Sequence, residues 1–339
     1  MKRSMIAFLC ALLLTGCAGT APGEQVDDGK LDIVATVFPA YDFARAVAGG
    51  EANVTLLLPP GMESHSYEPT PADILAVQNC DLFIYLGGES DTWVDTILSA
   101  VEMEGEVLRM VDCVELLEET HVEGMQMSPG HDHEGHDHGE DEPCQEEPDS
   151  HEEHDHDHGL GEVTGMDEHV WTSPKNAAEI TLEVAHHMGH LDEANADLYQ
   201  GNAEAYAAKI LALDRKFESF FAEQEDRTVV FGDRFPLLYF ADCYDLDYYA
   251  AFPGCGTQTE PSAATIAFLT EKVRAEEIPT VWYIEFSNHL VADSIAEATE
   301  TKTAMFHTCH NVTKAEMDGG ATYLSLMEGN LQTLRENFG

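Results

Sequence analysis

Basic side chains are scarce in this sequence: 16 Lys and Arg stand against 64 Asp and Glu, for a formal net charge of −48 over 339 residues. That balance excludes nucleic acid and anionic membrane surfaces as partners and suits a chain that attracts cations. Long apolar runs are missing as well. The stretch at residues 5–14 is too short to cross a hydrocarbon core of about 30 Å, and no other stretch reaches that length. There is no Cys-x-x-Cys pair, which removes a zinc ribbon or a dithiol redox centre. His-Glu-x-x-His, Gly-x-Ser-x-Gly and phosphate-loop patterns are absent too, so an extracytoplasmic zinc hydrolase would lack its usual machinery.

What is present begins with Met1-Lys2-Arg3, a short apolar stretch and LTGC at residues 14–17. A basic start, a brief apolar core and small residues before cleavage read as a secretory signal. The LTGC end resembles a bacterial lipobox, which implies lipidation of Cys17. Residues 1–17 are then the lipoprotein signal peptide and 18–30 a polar tether. The mature chain would lie outside the cytoplasm, held to the cell membrane by its lipid. Cys80, Cys113, Cys144, Cys243, Cys255 and Cys309 would sit where disulfides persist, although spacing alone does not give their pairing.

Hydrophobic residues make up 44% of the chain, enough for real cores. Residues 32–38, 54–58, 81–86 and 107–111 read as short buried strands, with helices over 41–47, 71–78 and 91–101 between them. After residue 169 come a helix at 176–188 and a long amphipathic helix at 193–222. Its stripe of Tyr199, Ala203, Tyr206, Ile210, Leu213, Phe217 and Phe220 recurs at spacings of four and three and reads as core packing. The alternation then restarts, with strands at 228–231, 247–251, 280–285 and 303–307. Helices fall at 235–241, 262–275, 290–299 and 321–337. Strands alternating with helices predict an α/β fold with mostly parallel sheets. The implied layout is a first βα domain over 31–190, a linking helix over 191–224 and a second βα domain over 226–339. Ligands of open α/β sheets sit beyond the carboxyl ends of strands, so those loops are where function is sought.

Between residues 121 and 168 the pattern collapses. The segment carries nine histidines and seventeen acidic residues with no Lys or Arg, and it cannot bury enough surface to offset its ordering entropy. An unstructured insertion over 121–166 is expected. Its repeats pair imidazoles with carboxylates at His131, His133, His136, His138, His151, His154, His156 and His158, a composition suited to collecting divalent metal at low affinity. Such binding should weaken as pH falls, because metal needs the neutral imidazole. The plainer reading is a solvated acidic linker. His186, His187 and His190 fall on a predicted helix and read as surface residues.

Two histidines have a more specific setting. His65 lies in GMESHSYEPTP (61–71), after the second strand, and His169 lies in DEHVWTSP (167–174), where order resumes. A lone loop histidine is by itself an ordinary surface residue. Both stretches, however, resemble the motifs Gly-x-x-x-His-x-Tyr-Glu-Pro-x-Pro and Asp-x-His-x-Trp-x-x-Pro of the zinc and manganese substrate-binding proteins of ABC transporters. LGGESDTW (86–93), EANADLYQGN (193–202) and YLSLMEGN (323–330) match the same family in the same order. The resemblance implies two pseudo-symmetric βα domains, one long rigid helix between them and a metal held in the cleft. It makes His65 and His169 the first-domain ligands, and it implies a membrane permease as partner for a monomeric, non-enzymatic protein. The His-rich insertion tilts the cargo towards Zn2+, with Mn2+ as the lesser candidate.

The second domain departs from that pattern. In FGDRFPLLYF (231–240), Gly232 falls where the family usually carries a ligand, and the last carboxylate falls near Cys309 in FHTCH (306–310). His307 or His310 is therefore expected to supply the third ligand, with Asp233 or Glu285 completing or orienting the shell. Cys255 and Cys309 either form a disulfide or leave Cys309 as a thiolate ligand. The competing function is a surface metal buffer or adhesin that works chiefly through its histidine segment.

Overall fold

The first strand, β1 (Leu31–Ala35), and β3 (Leu82–Tyr85) are near-continuous apolar runs because both faces of each are covered. They form the middle of a four-stranded parallel sheet with β2 (Ala52–Leu56) and β4 (Glu106–Arg109), in the order β2-β1-β3-β4. Helices α1 (Phe38–Ala48), α2 (Pro71–Asn79) and α3 (Thr92–Ala100) make the crossovers. The second half repeats the plan with β5 (Thr228–Phe235), β6 (Asp247–Pro253), β7 (Thr280–Ile284) and β8 (Lys302–Phe306), ordered β6-β5-β7-β8 and again wholly parallel. Each sheet is thus built second-first-third-fourth, the pseudo-symmetry implied by the sequence motifs. This computed structural model describes residues 29–62, 64, 67–88, 91–125, 165–254 and 261–338. Cys17 with its leader, the tether up to residue 28, His65, Cys255 and the histidines at 131–158 lie outside the described residues.

Between the halves run α4 (Pro174–Leu191) and the 27-residue α5 (Ala196–Ala222), the latter about 40 Å long at 1.5 Å per residue. Asn202 Nδ2 donates to the Val47 carbonyl of α1, and Tyr206 OH to the Asp42 carboxylate. Towards its other end, Phe217 meets Phe240 edge-on and Phe221 stacks on Tyr244, both on α6 (Leu238–Tyr244). The buried stripe is Tyr199, Ala203, Ala207, Ile210, Leu213, Asp214, Phe217 and Phe221; Tyr206 and Phe220 sit half-buried beside it. A helix flanked from both sides buries a broader face than one seam predicts. One continuous apolar cluster consequently contains residues of both halves, from Ile33 and Phe43 to Trp282 and Leu334.

Several boundaries differ from the sequence pattern: the first strand stops at Ala35 and α1 already begins at Phe38, and three further differences have a visible cause. β5 continues to Phe235, with a bulge between Phe231 and Arg234, and α6 begins only after Pro236 and Leu237. α5 starts at Ala196 because Asp192 is held by Asn195 and Tyr199 in the preceding turn. A short helix, α9 (Lys314–Asp318), closed by a Thr313–Glu316 capping box, precedes α10 (Tyr323–Asn337) and has too few residues for a periodic signal. Helices α7 (Ala263–Ala275) and α8 (Leu290–Thr299) lie where the pattern puts them. No helix among the described residues is long and apolar enough to cross a membrane.

Candidate metal site between the two halves

Several of the motif residues are structural. Thr70 and Asp73 form a capping box that starts α2 at Pro71, and Tyr67 donates to Asp73 while packing edge-on against Trp93. Asp91 accepts the Leu86 N–H at 2.7 Å and closes the turn after β3. Asn330 clamps the backbone of His307 from both sides, accepting its N–H and donating to its carbonyl. These residues fix the loops at the carboxyl ends of the strands.

The described segments that flank residues 126–164 are joined to each other. Glu118 bridges Met166 in antiparallel fashion, and the Asp167 N–H donates to the Leu117 carbonyl. His169 follows directly, at the start of a 3₁₀ turn (Val170–Thr172). It is buried, and Asp167 Oδ1 takes both its backbone N–H at 2.7 Å and its Nδ1 at 3.1 Å. Nδ1–H donation leaves the Nε2 lone pair available to a cation, the usual arrangement behind a metal-binding imidazole. Burial alone would lower the pKa of this ring. The charge and hydrogen bond of Asp167, with Glu168 and Glu119, outweigh it and hold the pKa above the ordinary imidazole value.

His169 lines a cavity of about 50 Å3 together with Met62 and Ser64 of the first half and Arg234, Glu285, Thr308, His310 and Asn311 of the second. The His169 and His310 rings meet edge to face with centroids 6.0 Å apart, and both flank Trp171. The loop carrying His310 is fastened to the first half. Trp171 Nε1 donates to the Thr308 carbonyl at 2.8 Å, Phe38 N–H to the His310 carbonyl at 3.2 Å, and Asn311 Nδ2 to the Pro59 and Met62 carbonyls at 2.8 Å each.

The other expected residues are distributed unevenly. Glu285 reaches the cavity, but both its oxygens accept from Thr308. Asp233 lies off it and braces the strand ends, accepting the N–H groups of Arg234 and Ile284. His307 does not line the cavity: its Nδ1 lone pair accepts the Cys309 N–H at 2.9 Å, and its Nε2 lies buried 3.7 Å from Glu316. Of the two candidate histidines, His307 and His310, the fold brings His310 to His169. Cys309 is a free thiol buried in the core, and burial pushes it well above the ordinary thiol range. Unpaired, buried and not among the residues lining the cavity, Cys309 fits neither the Cys255–Cys309 disulfide nor a thiolate ligand of this site. Nor is residue 232 a vacated ligand position. A Cβ there would stand 2.5 Å from the Ala292 Cα on α8, so its direction is away from the cavity. The residue of β5 that reaches the cavity is Arg234, unnoticed in the sequence although it is one of few basic residues and ends a strand. Among the described residues no three His, Cys, Asp or Glu side chains converge as a metal-holding group, and His65 is not among those residues.

Two α/β lobes with imidazoles from each meeting at the carboxyl ends of their sheets define a cleft-type solute-binding protein. The chain belongs to the family described as zinc-uptake complex component A, periplasmic, whose model matches residues 33–337. It is 29% identical over 333 residues to the zinc-binding lipoprotein AdcA of Streptococcus pneumoniae TIGR4, covering 98% of this chain and 60% of that protein. It is 28% identical over 334 residues to the high-affinity zinc uptake system protein ZnuA of Bacillus subtilis 168, covering 97% and 94%. The crystal structure of the Zn(II)-bound ZnuA-like domain of S. pneumoniae AdcA superposes with a TM-score of 0.69 at 26% identity, over 91% of this chain and 99% of that one. The chain therefore spans about 60% of the pneumococcal relative's length and nearly all of its ZnuA-like domain. The family consists of binding components, not enzymes, and the hydrolase alternative falls with it.

Proposed function

We propose that this chain captures zinc outside the cytoplasm and delivers it to the membrane permease of an ABC importer. The cation would lie between the two halves, held by His169 and His310, with His65 from the neighbouring loop as third donor. Glu285 would orient or complete the shell. The observation that carries this reading is the meeting of His169 and His310 across the cavity, one ring from each half and the first already oriented by Asp167. An imidazole-rich shell favours zinc over manganese. Lipid attachment at Cys17 and a monomeric state complete the proposal, and the histidines at 131–158 would serve as a loosely binding collector.

Competition with a chromophoric zinc chelator tests it, on a chain lacking residues 126–164 so that collector binding does not intrude. His65→Ala, His169→Ala and His310→Ala should each lose affinity by orders of magnitude. Parent-like affinity in all three would place the cargo site elsewhere.

A further inference from the structure

Helix α4 leads away from the cavity. It is capped by Ser173, just behind His169, and its 18 residues extend about 27 Å at 1.5 Å per residue. Its far end carries His186, His187 and His190. His187 is already engaged, with Nδ1 2.6 Å from Glu106 Oε2 and Nε2 3.8 Å from Glu183. His186 and His190 are exposed, one turn apart on the same face of the helix. Their ring centroids are 4.8 Å apart and their planes 40° apart.

That separation suits one shared cation. Imidazole nitrogens bind zinc at about 2.0–2.1 Å, so two rings on one ion at right-angle to tetrahedral spread bring their centroids to about 5 Å. Histidines at i and i+4 are the spacing by which a helix offers two donors from one face. The carbonyl end of α4 adds its partial negative charge.

We propose that His186 and His190 form a second divalent-cation site, on the surface of α4 and separate from the cleft. Imidazole donors select borderline ions such as zinc, nickel or copper over magnesium, calcium or manganese. With no three-donor group among the described residues, the site has two protein donors and water completes the shell. It therefore binds more weakly than a closed three- or four-donor site. The inference does not depend on the cleft's being the cargo site.

Residue-resolved footprinting tests it on the full-length apo protein. Zinc chloride is titrated in, histidines are modified with diethyl pyrocarbonate, and peptides are quantified by mass spectrometry. His186 and His190 should become protected together, while manganese chloride leaves both reactive. His186→Ala should abolish zinc protection of His190, and His190→Ala that of His186, with the cleft affinity measured by chelator competition unchanged. Continued protection of the remaining histidine in both variants, or no protection of either in the parent, overturns the proposal. If this pair is protected while the cleft variants keep parent-like affinity in the chelator competition, the cleft reading falls and the surface site stands.

Discussion

Asp167 binds His169 twice through one oxygen, taking the backbone N–H at 2.7 Å and the ring Nδ1 at 3.1 Å. The first contact fixes where the residue sits, and the second fixes which ring nitrogen offers a lone pair. The Asp167→Asn protein should keep its fold and bind zinc about 10- to 100-fold more weakly, the usual cost of losing a carboxylate behind a metal-binding histidine. The carboxylate also raises the His169 pKa, so protons compete with zinc as pH falls through that raised value. In the Asn variant this competition should set in at lower pH. Chelator competition across a pH series reads both effects, and an unchanged affinity and pH profile would remove Asp167 from the site.

His310 and His307 were equivalent in the sequence, and the fold separates them. His310 faces His169 across the cavity, while His307 spends Nδ1 on the Cys309 N–H. His310→Ala should weaken zinc binding by about two orders of magnitude or more, as loss of one donor from a small shell does. His307→Ala should cost stability with little loss of affinity in the folded fraction. The reverse outcome in paired zinc titrations and melts would reassign the ligand.

The parallel α/β halves and the long helix were legible because each rests on a local signal, whereas the cleft came from the family motifs and the strand order was not read at all. Apolar runs between turns mark buried parallel strands, and a stripe of threes and fours marks α5. His169 was singled out by its motif, but the reason for the Asp-x-His spacing, one carboxylate holding both backbone and ring, emerged only from the fold. What sequence could not supply was side-chain direction. Arg234 reaches the cavity because a bulge shifts the end of β5, and Cys309 turns into the core although its neighbours His307 and His310 are polar. Both outcomes depend on packing between distant elements, which no local pattern records.

The Glu118–Met166 bridge and the Asp167 N–H to Leu117 bond hold together the two chain ends that flank residues 126–164. Joining Met125 to Gly165 with a short Gly-Ser linker should therefore leave the apo melting temperature within a few degrees of the parent. Zinc stoichiometry at saturation should fall. Differential scanning calorimetry and metal analysis measure the two quantities, and a large drop in apo stability would mean that the segment contributes to the core.

Asp91 is buried and close to Glu168, and desolvation first, then that neighbouring charge, pushes its carboxyl up to about 7. A folded-state pKa above the unfolded value means the folded state holds the proton longer. The resulting stability is fully present below the ordinary carboxyl value of 3.8 and is lost as pH rises towards 7. At about 1.4 kcal/mol per unit the loss is on the order of 4 kcal/mol as an upper bound. Asn in its place keeps an oxygen for the Leu86 N–H without a charge. The Asp91→Asn apo protein should lose less stability than the parent between mildly acidic and mildly alkaline pH, by urea unfolding at each. Parallel curves would show that Asp91 is not the titrating group.

Gly232 offers the sharpest contrast between what the motif suggests and what the packing allows. The motif alignment makes it a vanished ligand, which invites restoring a histidine there. In the fold it packs directly against α8. A Cβ would lie 2.5 Å from the Ala292 Cα, 2.6 Å from its nitrogen and 2.8 Å from its Cβ. Two of those atoms are backbone of a helix whose Ala292 and Ile295 are buried in the second-half core, so relief requires moving α8 as a body. Overpacking of that kind costs about 1–3 kcal/mol even for a single added methyl group. Gly232→Ala should accordingly lower the apo melting temperature clearly, and Gly232→His should lower it further without tightening zinc binding. Arg234, two residues on, is the β5 side chain that reaches the cavity, so a donor introduced by Arg234→His should strengthen zinc binding where Gly232→His does not. A Gly232→His protein with parent-like melting and tighter zinc binding would show that the strand faces the cleft at residue 232 and would overturn the orientation described.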